Sequence, residues 1–134
     1  MIETKIRQEN QQYKAFCIED NNGFFLQNNG QVIDQYDLSK GYIESIFLAG
    51  EEKTEIFQDV CIYQEYLLCI PNNICQILLY NLETKNSKYI PFADIYYVNK
   101  EKPLFVNFVL ENDLLYLIPD RYTAIVVIDL IKND

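Results

Sequence analysis

A chain of 134 residues, 49% of them apolar, can bury one real core and is too apolar to stay disordered. Its 20 acids against 11 bases leave a net charge of −9, and no basic cluster exceeds Lys100–Glu101–Lys102, which argues against nucleic acid or an anionic membrane surface as partner. Met1–Asn10 is polar and no run approaches the ~18 apolar residues of a membrane span, so a cytoplasmic chain is expected.

The first candidate element is Ile2–Arg7, which alternates apolar and polar as I-E-T-K-I-R. Strands are then predicted at Tyr13–Ile18, Phe24–Gln27, Val32–Asp37 and Tyr42–Leu48. Turn-forming residues separate them at Glu19–Gly23, Asn28–Gln31 and Leu38–Gly41. A second set follows at Phe57–Tyr63, Tyr66–Ile70, Gln76–Asn81 and Lys88–Phe92. Asp94–Lys102 reads as a loop or a single helical turn. The last set is Phe105–Leu110, Leu114–Ile118 and Ala124–Asp129. Ile77–Tyr80 and Ala124–Ile128 are continuous apolar runs, the pattern of strands covered on both faces.

These sets are copies of one unit. Tyr66–Lys85 aligns without a gap to Leu114–Asn133, 48 positions on: Leu67 falls on Leu115, Ile70 on Ile118, Pro71 on Pro119 and Ile77 on Ile125. An earlier copy lies 44 positions before the middle one, placing Tyr13 on Phe57, Cys17 on Cys61, Leu26 on Ile70 and Tyr36 on Tyr80. The repeats run over about 13–48, 57–92 and 105–134 of a single domain, with residues 1–12 as a leading segment.

Each unit closes its third strand with one motif: YDLSK at Tyr36–Lys40, YNLETK at Tyr80–Lys85 and IDLIKN at Ile128–Asn133. Four short strands per 44 to 48 residues, ending in this way, resemble the blades of a β-propeller in the broad kelch-like or WD40-like sense. The Gly-Gly doublet of kelch repeats is absent, as are the Gly-His and Trp-Asp signatures of WD40 blades. The resemblance implies an all-β fold of about three antiparallel four-stranded meanders and, for function, scaffolding and binding more often than catalysis. An open, sandwich-like β domain is the alternative fold.

Propellers close with four to eight blades. Nearly three are expected here, the last short of its outer strand, which Ile2–Arg7 is suited to supply. Three readings follow: a ring completed by oligomerisation, a fragment of a longer propeller, or an open β domain.

Chemistry-bearing residues are sparse. There is no histidine, which excludes Ser–His and Cys–His nucleophile pairs within the chain. Cys17, Cys61, Cys69 and Cys75 lie in or beside strands with no C-x-x-C spacing, so they are expected as reduced, buried thiols, with a disulfide in one of three pairings as the alternative and with no metal and no cofactor. The acidic groups Glu51–Glu52 with Glu55, Glu19–Asp20 and Glu111–Asp113 fall in predicted turns, where solvation explains them. No phosphate-binding glycine loop is present; Gly23, Gly30, Gly41 and Gly50 each mark a turn.

The remaining site hypothesis is geometric. In a four-stranded meander, the loop between strands two and three opens at the same end as the link to the next unit. That end gathers Asn28, Asn29, Asn72, Asn73, Asp120, Arg121 and Tyr122, with the links Glu51–Thr54 and Asp94–Lys102. Amide, Arg and Tyr side chains suit contacts with a protein or a sugar. The expected function is a non-enzymatic protein-interaction or self-assembly module. Its rival is a carbohydrate-binding or enzymatic propeller domain with an acidic central channel.

Overall fold

The computed structural model describes residues 11–48, 56–92, 103–120, 122 and 124–132. Ile2–Arg7, Glu51–Thr54, Asp94–Lys102 and Arg121 lie outside the described residues. The described chain is all β: three antiparallel sheets, each formed by consecutive strands. Sheet one is β1 (Tyr13–Glu19), β2 (Asn22–Gln27), β3 (Val32–Asp37) and β4 (Gly41–Phe47). Sheet two is β5 (Phe57–Tyr63), β6 (Tyr66–Pro71), β7 (Gln76–Asn81) and β8 (Ser87–Pro91). Sheet three is β9 (Phe105–Glu111), β10 (Leu114–Pro119) and β11 (Val126–Asp129). These are the meander repeats that the sequence predicted.

The repeat is reproduced in backbone detail. The two-residue turn after the first strand begins in the left-handed region at Asp20, Gln64 and Asn112, which are equivalent positions. Such a turn matches the twist of the hairpin strands it joins. Each first strand also carries one extra residue opposite its partner: Lys14 in β1, Gln58 in β5 and Val106 in β9. A bulge of this kind bends the strand and re-aims the extra side chain.

The Tyr/Ile–Asp/Asn–Leu motif has a physical explanation. Asp37 Oδ1 accepts the backbone N–H groups of Ser39 and Lys40, Asn81 Oδ1 those of Glu83 and Thr84, and Asp129 Oδ1 those of Ile131 and Lys132. The short polar side chain closes the turn in place of a ladder bond. The next residue, Leu38, Leu82 or Leu130, donates its N–H back to the first hairpin at Asn21, Glu65 or Asp113. Two tight turns at one end of the sheet are thereby tied together.

Two cores join the three sheets. Between sheets one and two lie Phe24, Leu26, Ile33, Ile46, Phe57, Leu67, Cys69 and Leu78. Between sheets two and three lie Leu68, Ile70, Ile77, Leu79, Phe105, Leu115, Leu117 and Ile128. Side chains alternate along a strand, so Leu67 and Cys69 face sheet one while Leu68 and Ile70 face sheet three. Backbone bonds at the links add to the packing: Phe57 N–H reaches Gly30 O at 2.8 Å, and Leu104 N–H reaches Asn72 O at 2.9 Å. Gly30 holds φ +70, and a methyl there would overlap Ile56 and the Phe57 carbonyl. Only glycine lets these sheets approach so closely at that corner.

One expectation needs correction. Ile77–Tyr80 is covered as its apolar run predicts, with Ile77, Leu78 and Leu79 all buried. Ala124–Ile128 is not: Ile125 and Val127 are exposed, and β11 begins only at Val126. The Leu104 carbonyl accepts the N–H groups of both Asp120 and Tyr122, which draws the preceding loop toward β9. The run therefore pairs late, and nothing among the described residues covers its outer face.

Candidate functional site

Among the described residues, most of the side chains predicted for the loop end serve the fold. Asn28 donates to Gln12 twice, from its backbone N–H and from Nδ2, each at 3.0 Å. Asn29 accepts the Gln31 N–H on Oδ1 and donates to Gln27 Oε1. Asn72 donates its N–H to Ile56 O, and Asn73 Oδ1 accepts the Ile56 N–H at 3.0 Å. Asn28, Asn72 and Asn73 thus tie two of the loops to the entry of a first strand, while Asn29 closes its own loop. Asp120 is exposed, with its N–H on Leu104 O. The Tyr122 ring is buried against Phe92 and Phe105, at 5.7 and 5.4 Å between ring centres. It fills core and presents no surface.

Two sheet faces carry more. Each sheet has a front face, toward the next sheet in chain order, and a back face, toward the preceding one. The front of sheet three holds Val109, Ile125 and Val127, all exposed, with Tyr116 and Ile118 half-buried beside them. Their repeat equivalents in sheet two, Cys61, Ile77, Leu79, Leu68 and Ile70, belong to the core against sheet three. This face is thus built as an inter-sheet core and left uncovered among the described residues.

The back of sheet one is different in kind. It centres on Asp34, a carboxylate with 0% of its surface accessible. Asp34 accepts from Tyr13 Oη at 2.7 Å, Ser45 Oγ at 2.6 Å and Gln27 Nε2 at 3.1 Å to both oxygens. Tyr13 and Tyr36 hydroxyls lie 3.1 Å apart, and Tyr42 Oη is 2.8 Å from Ser45 Oγ. Phe25 links the rings, 5.4 Å from Tyr13, 6.0 Å from Phe16 and 5.6 Å from Tyr36. Burial pushes the Tyr13 hydroxyl well above its ordinary range, and its bonds to Tyr36 and Asp34 push the same way. Around this satisfied network, Phe16, Ile18 and Phe47 stand exposed. The repeat already contains the signal for the network: Asp34 occupies the position of Leu78 and Val126. A carboxylate at an otherwise apolar repeat position marks a local departure from plain packing.

The acids of the last repeat border an open cavity of about 470 Å3, lined by Glu111, Asp113, Tyr116, Asp129, Ile131 and Lys132 among others. Tyr63 Oη donates to Asp113 at 2.7 Å, and burial together with that bond pushes the phenol up to about 12. Among the described residues, no group of three or more His, Cys, Asp or Glu is placed to hold a metal ion. Burial pushes the thiols of Cys17 and Cys61 up to about 12 and raises Cys69 well above its ordinary range, the neighbouring Asp59 carboxylate adding to the first two. These are protonated thiols, poor nucleophiles at neutral pH.

No family model matches the chain, and no curated protein matches it. Among solved structures it is similar to the computationally designed Ika4 protein, with a TM-score of 0.67 over 99% of this chain and 77% of that one. The identity is 6%, so the likeness concerns the fold alone. The three-sheet, all-β class thus rests on the strand pairing and on a solved neighbour of the same shape. No helix among the described residues is long and apolar enough to cross a membrane.

Proposed function

We propose that the chain is a non-enzymatic interaction module whose propeller-like sheets bind a protein partner through an end face. One observation carries this reading: the front of sheet three repeats the apolar pattern of an inter-sheet core, yet Ile125 is 61% and Val127 54% exposed. Contiguous apolar surface of that origin is the usual mark of a protein contact. Two of the loop-end residues first suggested by the sequence support this role indirectly, because the Asn72 carbonyl accepts the Leu104 N–H and Tyr122 packs between Phe92 and Phe105, both at the junction of sheets two and three. A net charge of −9 favours a protein or cationic surface over nucleic acid.

The test is the Val127→Glu variant of the whole chain, compared with the parent by light scattering behind a sizing column. Loss of an associated species, whether a copy or another protein, is the expected outcome. An unchanged set of associated species would overturn the reading. The acidic cavity with Tyr116 motivates a second reading, glycan binding at the end of sheet three. Glycan-array binding that Asp113→Asn removes is its signature.

A further inference from the structure

The interaction-module reading leaves open what covers sheet three, and the repeat itself supplies the answer. The chain builds the same junction twice. At each, the front of one sheet receives the back of the next, sheet one against sheet two and sheet two against sheet three. Two faces of that junction remain without a counterpart among the described residues: the front of sheet three and the back of sheet one. They are complementary in kind, because every other front in the chain is matched to a back.

The back of sheet one fits burial. Its positions Tyr13, Phe16, Ile18, Phe25 and Tyr36 correspond to Phe57, Val60, Ile62, Cys69 and Tyr80, which sheet two packs on sheet one. Its carboxylate, Asp34, is already withdrawn from water and holds bonds from Tyr13, Gln27 and Ser45. A sheet laid over it strips little further water from the carboxylate and orphans none of those donors, so the usual penalty for covering a charge is small. A front-to-front contact between two copies of sheet three would leave this prepared face unused.

We propose that copies of this chain dock head to tail, the front of sheet three in one copy covering the back of sheet one in another. Two copies placed reciprocally close on each other, and neither apolar end remains exposed. A heterologous contact of this kind gives a discrete ring when it closes and a filament when it does not. Each copy carries −9, so long-range repulsion opposes docking and salt promotes it.

The experiment uses two variants of the whole chain. Val127→Glu alters the front of sheet three, and Phe16→Glu alters the back of sheet one. Both sites are more than half exposed, and an unchanged thermal unfolding midpoint for the single chain verifies the fold. Ile125→Lys and Ile18→Lys are the second pair. The parent is expected at a discrete multiple of the single-chain mass, more populated at higher salt, with each variant falling to the single-chain mass. An equimolar mixture of the two variants should regain the paired mass, because one competent front then meets one competent back. A back variant that keeps the parent mass overturns head-to-tail docking in favour of front-to-front pairing. A single-chain mass for the parent at all salt concentrations overturns self-docking altogether. The interaction-module reading then stands or falls separately, on whether Val127→Glu releases a different partner.

Discussion

Sheets two and three are copies of one sequence pattern in different places. Ile77 and Ile125 occupy the same repeat position, yet one is 0% exposed and the other 61%. The same contrast holds for Leu79 and Val127. Among the described residues, sheet two is covered on both sides and sheet three on one. Local sequence therefore specifies the strand and the face, while position in the stack decides whether that face is core. The apolar content of β11 makes sense only with reference to a surface outside its own sheet.

The largest test of this contrast is the paired substitution Ile77→Ala and Ile125→Ala. Truncating Ile77 should cost about 2–5 kcal/mol of unfolding free energy, through lost burial and the cavity left between sheets two and three. Truncating Ile125 should cost the single chain less than about 0.5 kcal/mol. Denaturant titration in dilute protein measures both. A comparable loss at both sites would show that Ile125 is already core in the isolated chain.

Next in size is Asp34→Ala. It leaves the donors of Tyr13, Gln27 and Ser45 without their common acceptor on a half-covered face. An unfolding cost of about 2–3 kcal/mol is expected, as for hydrogen bonds to a charged group. Asp34→Leu restores the residue type of sheet two at this position and should recover less than Asp34→Asn, because the donors stay unpaired. Recovery by leucine would mean that sheet one tolerates the plain apolar pattern of its sister.

Tyr63→Phe is a smaller change. The hydroxyl joins sheet two to the turn of sheet three at Asp113, and its loss should cost about 1 kcal/mol. The predicted readout is faster hydrogen exchange at the Asp113 turn, with little effect in sheet one.

The mildest effect is a pH dependence. The folded state holds Cys17, Cys61 and Tyr63 at about 12, above ordinary values of 9.0 for the thiols and 10.0 for the phenol. Between those limits the unfolded chain releases protons that the folded chain retains. Stability from these groups is complete below about pH 9 and declines as pH rises toward 12. Cys17→Ala with Cys61→Ala should flatten the first part of that decline, read from unfolding midpoints between about pH 8 and about 11.

Most of the fold was legible because the repeat is. The predicted Phe57–Tyr63 is β5 to the residue, and the 44- and 48-position offsets place the first-hairpin turns at Gln64 and Asn112. Strand ends that drift, such as β11 starting at Val126 rather than Ala124, follow backbone bonds to Leu104 that no local pattern encodes. The candidate site was less legible. Loop asparagines look available in a sequence, whereas Asn28 and Asn73 are spent on tying loops to first strands. Tyr122 reads as a loop residue but fills the space between Phe92 and Phe105. Asp34 stands out as a mismatch among repeats, though its partners Tyr13, Gln27 and Ser45 come from strands that only the fold brings together.

The bulge in each first strand has a consequence for how such a chain diversifies. In sheets one and two the extra residue reaches toward the next sheet without belonging to either core. Gln58 Nε2 donates to the Phe105 carbonyl at 2.9 Å and leaves its Oε1 buried with no partner among the described residues. Lys14 Nζ approaches the corner of Gly30 and the Phe57 carbonyl, where burial lowers its pKa, and Val106 stands in the open. Three sheets built on one repeat thus carry three different residues at one address. In sheets one and two, a substitution at that address acts at one junction while the residues of both cores stay as they are.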